Sequence, residues 1–264
     1  MHPIIGYVAS ALIGISLGLV GSGGSILTIP VLVYLFHVEP SLATAYSLFI
    51  VGTTALVGGI QNSVKHLVDF RATTMFAIPS FITVYLTRRL LIPFIPPQLI
   101  TLGKWVITKD EAIMVFFSLL MVAAAIRMIR HQRETIPADT LVKQKIGLLL
   151  PIGLVVGIIT GLVGAGGGFL IIPALVILAG LPMKKAVGTS LLIIAANSLI
   201  GFLGDVGSGQ PIDYAFVMVI AAIAVGGIFL GSYLSQFVEG QRLKASFGWF
   251  VLLMGMYIIW KEIP

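Results

Sequence analysis

Two glycine-rich pentapeptides are the places where residue type and spacing could do chemistry. The first is Gly21-Ser22-Gly23-Gly24-Ser25 and the second is Gly164-Ala165-Gly166-Gly167-Gly168. Neither holds a titratable side chain, so the chemistry on offer belongs to the backbone. Glycine allows positive φ and lets a solute approach the amides closely. Where such a loop opens a helix, the first N–H groups have no intrahelical partner, and the helix end carries about half a positive charge. Together these make an anion site that needs no basic side chain. Ser22 and Ser25 add hydroxyl donors to the first loop. Ser47, Thr53 and Thr54 in one apolar run, and Thr189, Ser190 and Asn197 in another, could line the same solute. Asn197 is the costliest of these to place in lipid without a purpose. A second reading stays open for each group: glycines also let membrane helices pack closely, and hydroxyls also bond to backbone carbonyls. His66 and His131 fall in polar loops, with no serine and histidine on one helix face. The glycine loops lack the Lys-Ser/Thr of a phosphate-binding loop and follow no strand. We therefore expect no enzyme, no catalytic residues, no metal and no cofactor.

Composition names the solvent. Of 264 residues, 58% are hydrophobic and 10% are charged, with a mean hydropathy of +1.09. An ordinary soluble domain carries about 25% charged residues. Such a chain cannot cover a water-facing surface, but it suits lipid. The net charge of +6 is scattered between apolar runs, so it reads as a determinant of topology rather than a nucleic-acid footprint. The expected partners are a small anion and membrane lipid, with no nucleic acid; a homodimer is left open. With no cysteine, a disulfide framework or thiolate metal site is excluded. No Lys or Arg precedes the first apolar run, so residue 4 onward reads as mature membrane protein.

The elements that must position the loops follow from segment lengths. Residues 4–20 are apolar and glycine-interrupted. Residues 25–38 would make a helix of roughly 21 Å, short of a hydrocarbon core of about 30 Å. Residues 41–62 are long enough to cross, and 71–91 cross and end at Arg88 and Arg89. The segment 92–110 holds Pro93, Pro96 and Pro97 with Lys104, Trp105 and Lys109; it reads as lying in the interface, because the prolines oppose a regular helix. Residues 111–130 cross. The polar stretch 131–146 divides the chain. A second series then follows at 147–163, 169–181, 186–204, 213–237 and 245–260. No spanning segment places a charge near its centre.

The two series match. Residues 18–58 align without a gap to 161–201, with about 18 identities in 41 positions. Ser47, Thr53 and Thr54 fall opposite Ser190, Ala196 and Asn197, and Asp69-Phe70 matches Asp213-Tyr214 after a one-residue shift. With 131–146 in the cytoplasm, alternating crossings put the basic residues Lys65, Arg71, Lys184, Lys185, Arg242 and Lys244 inside. Asp205, Asp213 and both termini fall outside. Arg88, Arg89, Lys104 and Lys109 are the exception, since they fall outside as well. Each half then has an odd number of crossings and the halves are inverted. The fold expected is an all-α membrane protein, an inverted repeat of two five-segment halves, each opening with two short helices broken at a glycine-rich loop. It forms a single transmembrane domain, with repeat 1 at about 4–130 and repeat 2 at about 147–260. Discontinuous helices at matching places in two halves mark a transporter's binding site.

The doubled motif Gly18-Leu-Val-Gly-Ser-Gly-Gly-Ser-Ile-Leu-Thr-Ile-Pro30 and Gly161-Leu-Val-Gly-Ala-Gly-Gly-Gly-Phe-Leu-Ile-Ile-Pro173 resembles that of the TauE/SafE sulfite-exporter family. So do Ala186-Val-Gly-Thr-Ser190 and the ending from Gly231 through Arg242-Leu-Lys. The resemblance covers nearly the whole chain. It implies a multi-pass inner-membrane transporter that exports sulfite or an organosulfonate such as sulfoacetate. The 92–110 stretch departs from the family's compact pattern. The alternatives are a passive small-anion channel on the same scaffold, or a structural membrane protein whose glycines serve helix packing alone.

Overall fold

Asp69 and Asp213 each begin a long helix in the same way. Their carboxylates accept from the backbone N–H three residues on, Ala72 at 2.9 Å and Phe216 at 3.0 Å, which satisfies one of the donors a helix start leaves open. The computed structural model describes residues 3–21, 24–96, 98–102, 105–130, 146–209, 211–235 and 240–262. Helices α1 (Pro3–Val20) and α2 (Ser25–Pro30) are followed by a π-helical turn, Val31–Leu35. Next come α3 (Pro40–Val64) and α4 (Phe70–Leu86), then a second π turn, Thr87–Leu91, which leads into a single turn, α5 (Ile92–Phe94). Helix α6 is Lys109–Arg130. After a short 3-10 turn, Ile146–Leu148, the chain forms α7 (Leu149–Val163), α8 (Gly168–Ile177), α9 (Met183–Gly207), α10 (Tyr214–Leu234) and α11 (Gly240–Glu262). Among the described residues, four helical runs are long and apolar enough to cross a membrane: Pro40–Val64, Phe70–Phe94, Met183–Gly207 and Tyr214–Leu234. The 131–145 linker lies outside the described residues.

The described residues are overwhelmingly helical, as expected, apart from one short antiparallel hairpin, β1 (Gln98–Leu102) and β2 (Trp105–Thr108), within the proline-rich stretch. A hairpin pairs its own amides, so the stretch has regular structure even where prolines oppose a helix. Segment four does not stop at 91. The π turn widens the ladder just before Pro93, and Ile92 N–H bonds five residues back to Thr87 O, so the proline's missing donor falls where the regular i−4 pattern has already been given up.

Packing runs through glycines. A Cβ on Gly153 would meet Phe76 O at 2.7 Å and one on Gly161 would meet Thr87 Cβ at 2.6 Å, so α7 and α4 run parallel at close range. Helix α1 lies on α10 in the same way, through Gly14 against Ala224 and Gly18 against Ile228. Helices α3 and α9 run antiparallel: Gly52 faces Leu199 and Gly59 faces Leu192. Helix α11 packs on α6. Ile13, Val51, Phe76, Ile171 and Ile194 belong to one buried core joining both series of helices. Outward faces remain apolar, as with Leu230 and Trp260, which are 58% and 79% exposed. An uncovered apolar belt of this kind is what lipid would cover.

Backbone conformation repeats at a fixed interval. Positive φ occurs at Gly21 and Gly164, at His37 and Gly180, and at His66 and Gly209, each pair 143 residues apart. Loop anchoring recurs too. Asp69 N–H donates to Thr189 Oγ1 at 2.9 Å, and Asp213 N–H donates to Tyr46 OH at 2.9 Å.

Candidate functional site

Helix α7 stops because Gly164 turns left-handed, with φ +76, while its N–H still reaches Thr160 O at 2.8 Å. Gly166 (φ +68) and Gly167 (φ +67) continue the turn, and α8 begins at Gly168. A side chain in this conformation is strained at any of the three. Gly164, Ala165, Gly166, Gly167 and Gly168 are all buried. A Cβ on Gly166 would sit 2.9 Å from Ser198 Oγ, 3.0 Å from Ile194 Cγ2 and 3.1 Å from Val51 Cγ1. The loop therefore rests on the seam where α3 and α9 cross.

In the first half, Gly21 has φ +80 and ends α1 by donating to Leu17 O at 2.8 Å. A Cβ on Gly21 would lie 2.6 Å from Val187 Cγ1 on α9, just as one on Gly164 would lie 2.5 Å from Thr44 Cβ on α3. Gly24 folds back on α1, where a Cβ would meet Ile13 O and Leu17 N at 2.6 Å. Ser25 opens α2 and is fully buried. Ser22 and Gly23 lie outside the described residues.

The hydroxyl and amide groups divide by what they already hold. Thr53 Oγ1 donates to Phe49 O at 2.8 Å, Thr54 Oγ1 to Ile50 O at 2.6 Å and Ser190 Oγ to Val187 O at 2.8 Å. Their protons are committed to their own helices. Thr189 accepts from the Asp69 backbone, and Asn197 Nδ2 donates to Ser80 Oγ on α4 at 2.7 Å. By contrast, Ser47 Oγ, Thr160 Oγ1, Ser198 Oγ and Asn197 Oδ1 are buried without a hydrogen-bond partner among the described residues. Ser198 adjoins Gly166, and a Cβ on Gly167 would collide with Thr160 Oγ1. Two hydroxyls with no partner thus meet the one loop that opens α8. A buried polar group left unpaired is costly and calls for an explanation.

Sequence reasoning passed over Thr160 and Ser198, although one stands a turn before Gly164 and the other next to Asn197. It also read Asp205 as a loop residue. Asp205 instead lies inside α9, fully buried, 3.2 Å from Arg88 Nη1. Arg88 is 1% exposed and also donates to Thr44 Oγ1 at 3.0 Å. The signal for this pair was the departure of Arg88 from the charge rule that ordered the other loops.

A family model described as Sulfite exporter TauE/SafE matches residues 7–262. The chain belongs to the TauE/SafE family. Its apolar helices are accordingly those of a multi-pass membrane protein, in a family of transporters. It is 28% identical over 262 residues to a probable membrane transporter protein of Xylella fastidiosa (strain 9a5c), covering 96% of this chain and 94% of that one. It is 25% identical to the probable membrane transporter protein YunE of Bacillus subtilis (strain 168), covering 97% and 98%. A probable membrane transporter protein of Haemophilus influenzae is 24% identical over 96% and 97%. No solved structure matches the chain.

Proposed function

We propose that this TauE/SafE protein is a secondary transporter that exports a small sulfur-containing anion, sulfite or an organosulfonate such as sulfoacetate, across the inner membrane. The anion is held near mid-membrane by the two glycine loops, Gly21–Ser25 and Gly164–Gly168. The observation that carries the reading is the pair of unpartnered buried hydroxyls, Thr160 and Ser198, set against Gly166 and Gly167 at the start of α8. Hydroxyl protons and the open amides of a helix N-terminus are both donors, and they suit an oxyanion. The family's name supports the substrate class.

The halves form an inverted repeat in this reading. Its support is the antiparallel run of α3 and α9, the positive-φ positions 143 residues apart and the exchange of partners between halves. Alternating access then follows from one half rocking against the other. The 131–146 linker is cytoplasmic and both termini lie outside, which places most of the basic loops inside.

The test is a thermal-shift screen of the purified full chain against sulfite, sulfate, thiosulfate, sulfoacetate and simple carboxylates. We expect a rise in melting temperature that saturates with sulfite or sulfoacetate and is weaker with carboxylates. No rise with any sulfur oxyanion, or equal rises with every salt, contradicts the substrate class.

A further inference from the structure

Arg88 is the bulkiest completely buried side chain among the described residues. One guanidinium nitrogen, Nη1, makes both hydrogen bonds, to Thr44 Oγ1 at 3.0 Å and Asp205 Oδ1 at 3.3 Å, and lies 3.2 Å from Asp205 Oδ2 as an ion pair. Nε and Nη2 have no hydrogen-bond partner among the described residues. Arginine and a carboxylate free to choose form a fork of two parallel hydrogen bonds. Here the carboxylate is gathered on a single nitrogen instead, and the edge made by Nε and Nη2 is left over. That edge presents parallel N–H bonds, the match for two oxygens on one centre.

The edge does not face lipid. A Cβ on Gly164 would collide with Arg88 Nη2, so the guanidinium lies against the left-handed turn leading into the ten-residue helix α8. The positive end of that helix, the unpartnered hydroxyls of Thr160 and Ser198 and the unpartnered guanidinium edge all border the same loop. Buried donors with nothing to bind are expensive, and three sets of them around one turn are explained by a shared acceptor.

The matching place in the other half has no buried cation among the described residues. By the alignment, Ser232 stands where Arg88 does and Asn62 where Asp205 does. Ser232 lines, with Gln61 and Lys65, a recess of ≈ 420 Å³, whereas Arg88 is packed against Gly204, whose Cβ would lie 2.8 Å from Arg88 Cβ.

We propose that Arg88 is a direct ligand and specificity determinant for the oxyanion, taking two of its oxygens on the Nε and Nη2 edge while Asp205 and Thr44 hold the guanidinium by Nη1. This rests on the anion site proposed above and adds a charged side chain to a site otherwise built of amides and hydroxyls. A bidentate edge favours an anion with two oxygens on one atom, such as sulfite or a sulfonate, over a halide.

The experiment measures sulfite binding to purified full-length protein by thermal shift, with chloride as competitor, for wild type, Arg88→Lys, Asp205→Asn and the double variant Arg88→Met/Asp205→Asn. The double variant leaves no unpaired buried charge, so it should fold. We expect it to bind sulfite at least about tenfold more weakly than wild type. Arg88→Lys should keep the charge but lose preference for sulfite over chloride. Asp205→Asn, which loosens the guanidinium's anchor but keeps its charge, should weaken sulfite binding less than the double variant does. Wild-type affinity in the double variant, or an Asp205→Asn loss as large as that of the double variant, overturns the role of Arg88 and makes the pair a structural plug. A wild-type protein that binds neither sulfite nor sulfoacetate overturns the anion site itself, and the Arg88 proposal with it.

Discussion

Thr160 and Ser198 separate packing from binding at the residue scale. If their hydroxyls served only the fold, each would have a partner, yet neither does. Removing an unsatisfied buried hydroxyl relieves a desolvation cost of about 1–3 kcal/mol. Thr160→Val with Ser198→Ala should therefore leave the melting temperature unchanged or raised while weakening sulfite binding about fivefold or more. A fall in stability with intact binding would assign both hydroxyls to the fold. The glycine loops themselves were legible in the sequence, because only glycine tolerates a left-handed turn beside a close neighbour and both were spelled alike. The polar groups around them were less so. Thr53, Thr54 and Ser190 have the same composition as Thr160 and Ser198, and what distinguishes them is rotamer and neighbour. A linear sequence does not state which hydroxyl turns back to its own helix.

Elements were easier to read than their ends. The runs 41–62 and 186–204 stood out by length and hydropathy and fall within α3 and α9, whose ends lie a few residues further out. The hairpin at 98–108 was hidden because the prolines just before it, at 93, 96 and 97, say only what the stretch cannot be. Asp205 was misplaced because a charge near the end of an apolar run reads as the run's boundary, although a buried partner lets the helix carry it two residues further. His66 offers a test at this scale. It holds φ 56 at the turn after α3, where the matching turn after α9 uses Gly209. A left-handed non-glycine residue costs about 1–2 kcal/mol, so His66→Gly should raise the melting temperature slightly. A marked drop would mean that the exposed imidazole holds contacts the turn depends on.

For the whole molecule, the absence of cysteine makes the arrangement in the bilayer measurable. Lys65 and Pro211 are both exposed, in the loops after α3 and before α10. With Lys65→Cys and Pro211→Cys introduced singly, a membrane-impermeant thiol reagent added to intact cells should label the second and spare the first. Labelling of both, or of Lys65→Cys alone, contradicts the proposed orientation. The partner exchange between halves bears on every mutation made in this protein. Gly58 rests on Leu191 and Ile228, and Gly201 rests on Leu48 and Val84, so each lesson learned in one half has a sister position already waiting in the other. Sister lesions that hurt equally report on the scaffold both halves inherit. Any pair that hurts unequally points to where evolution has pulled them apart for work.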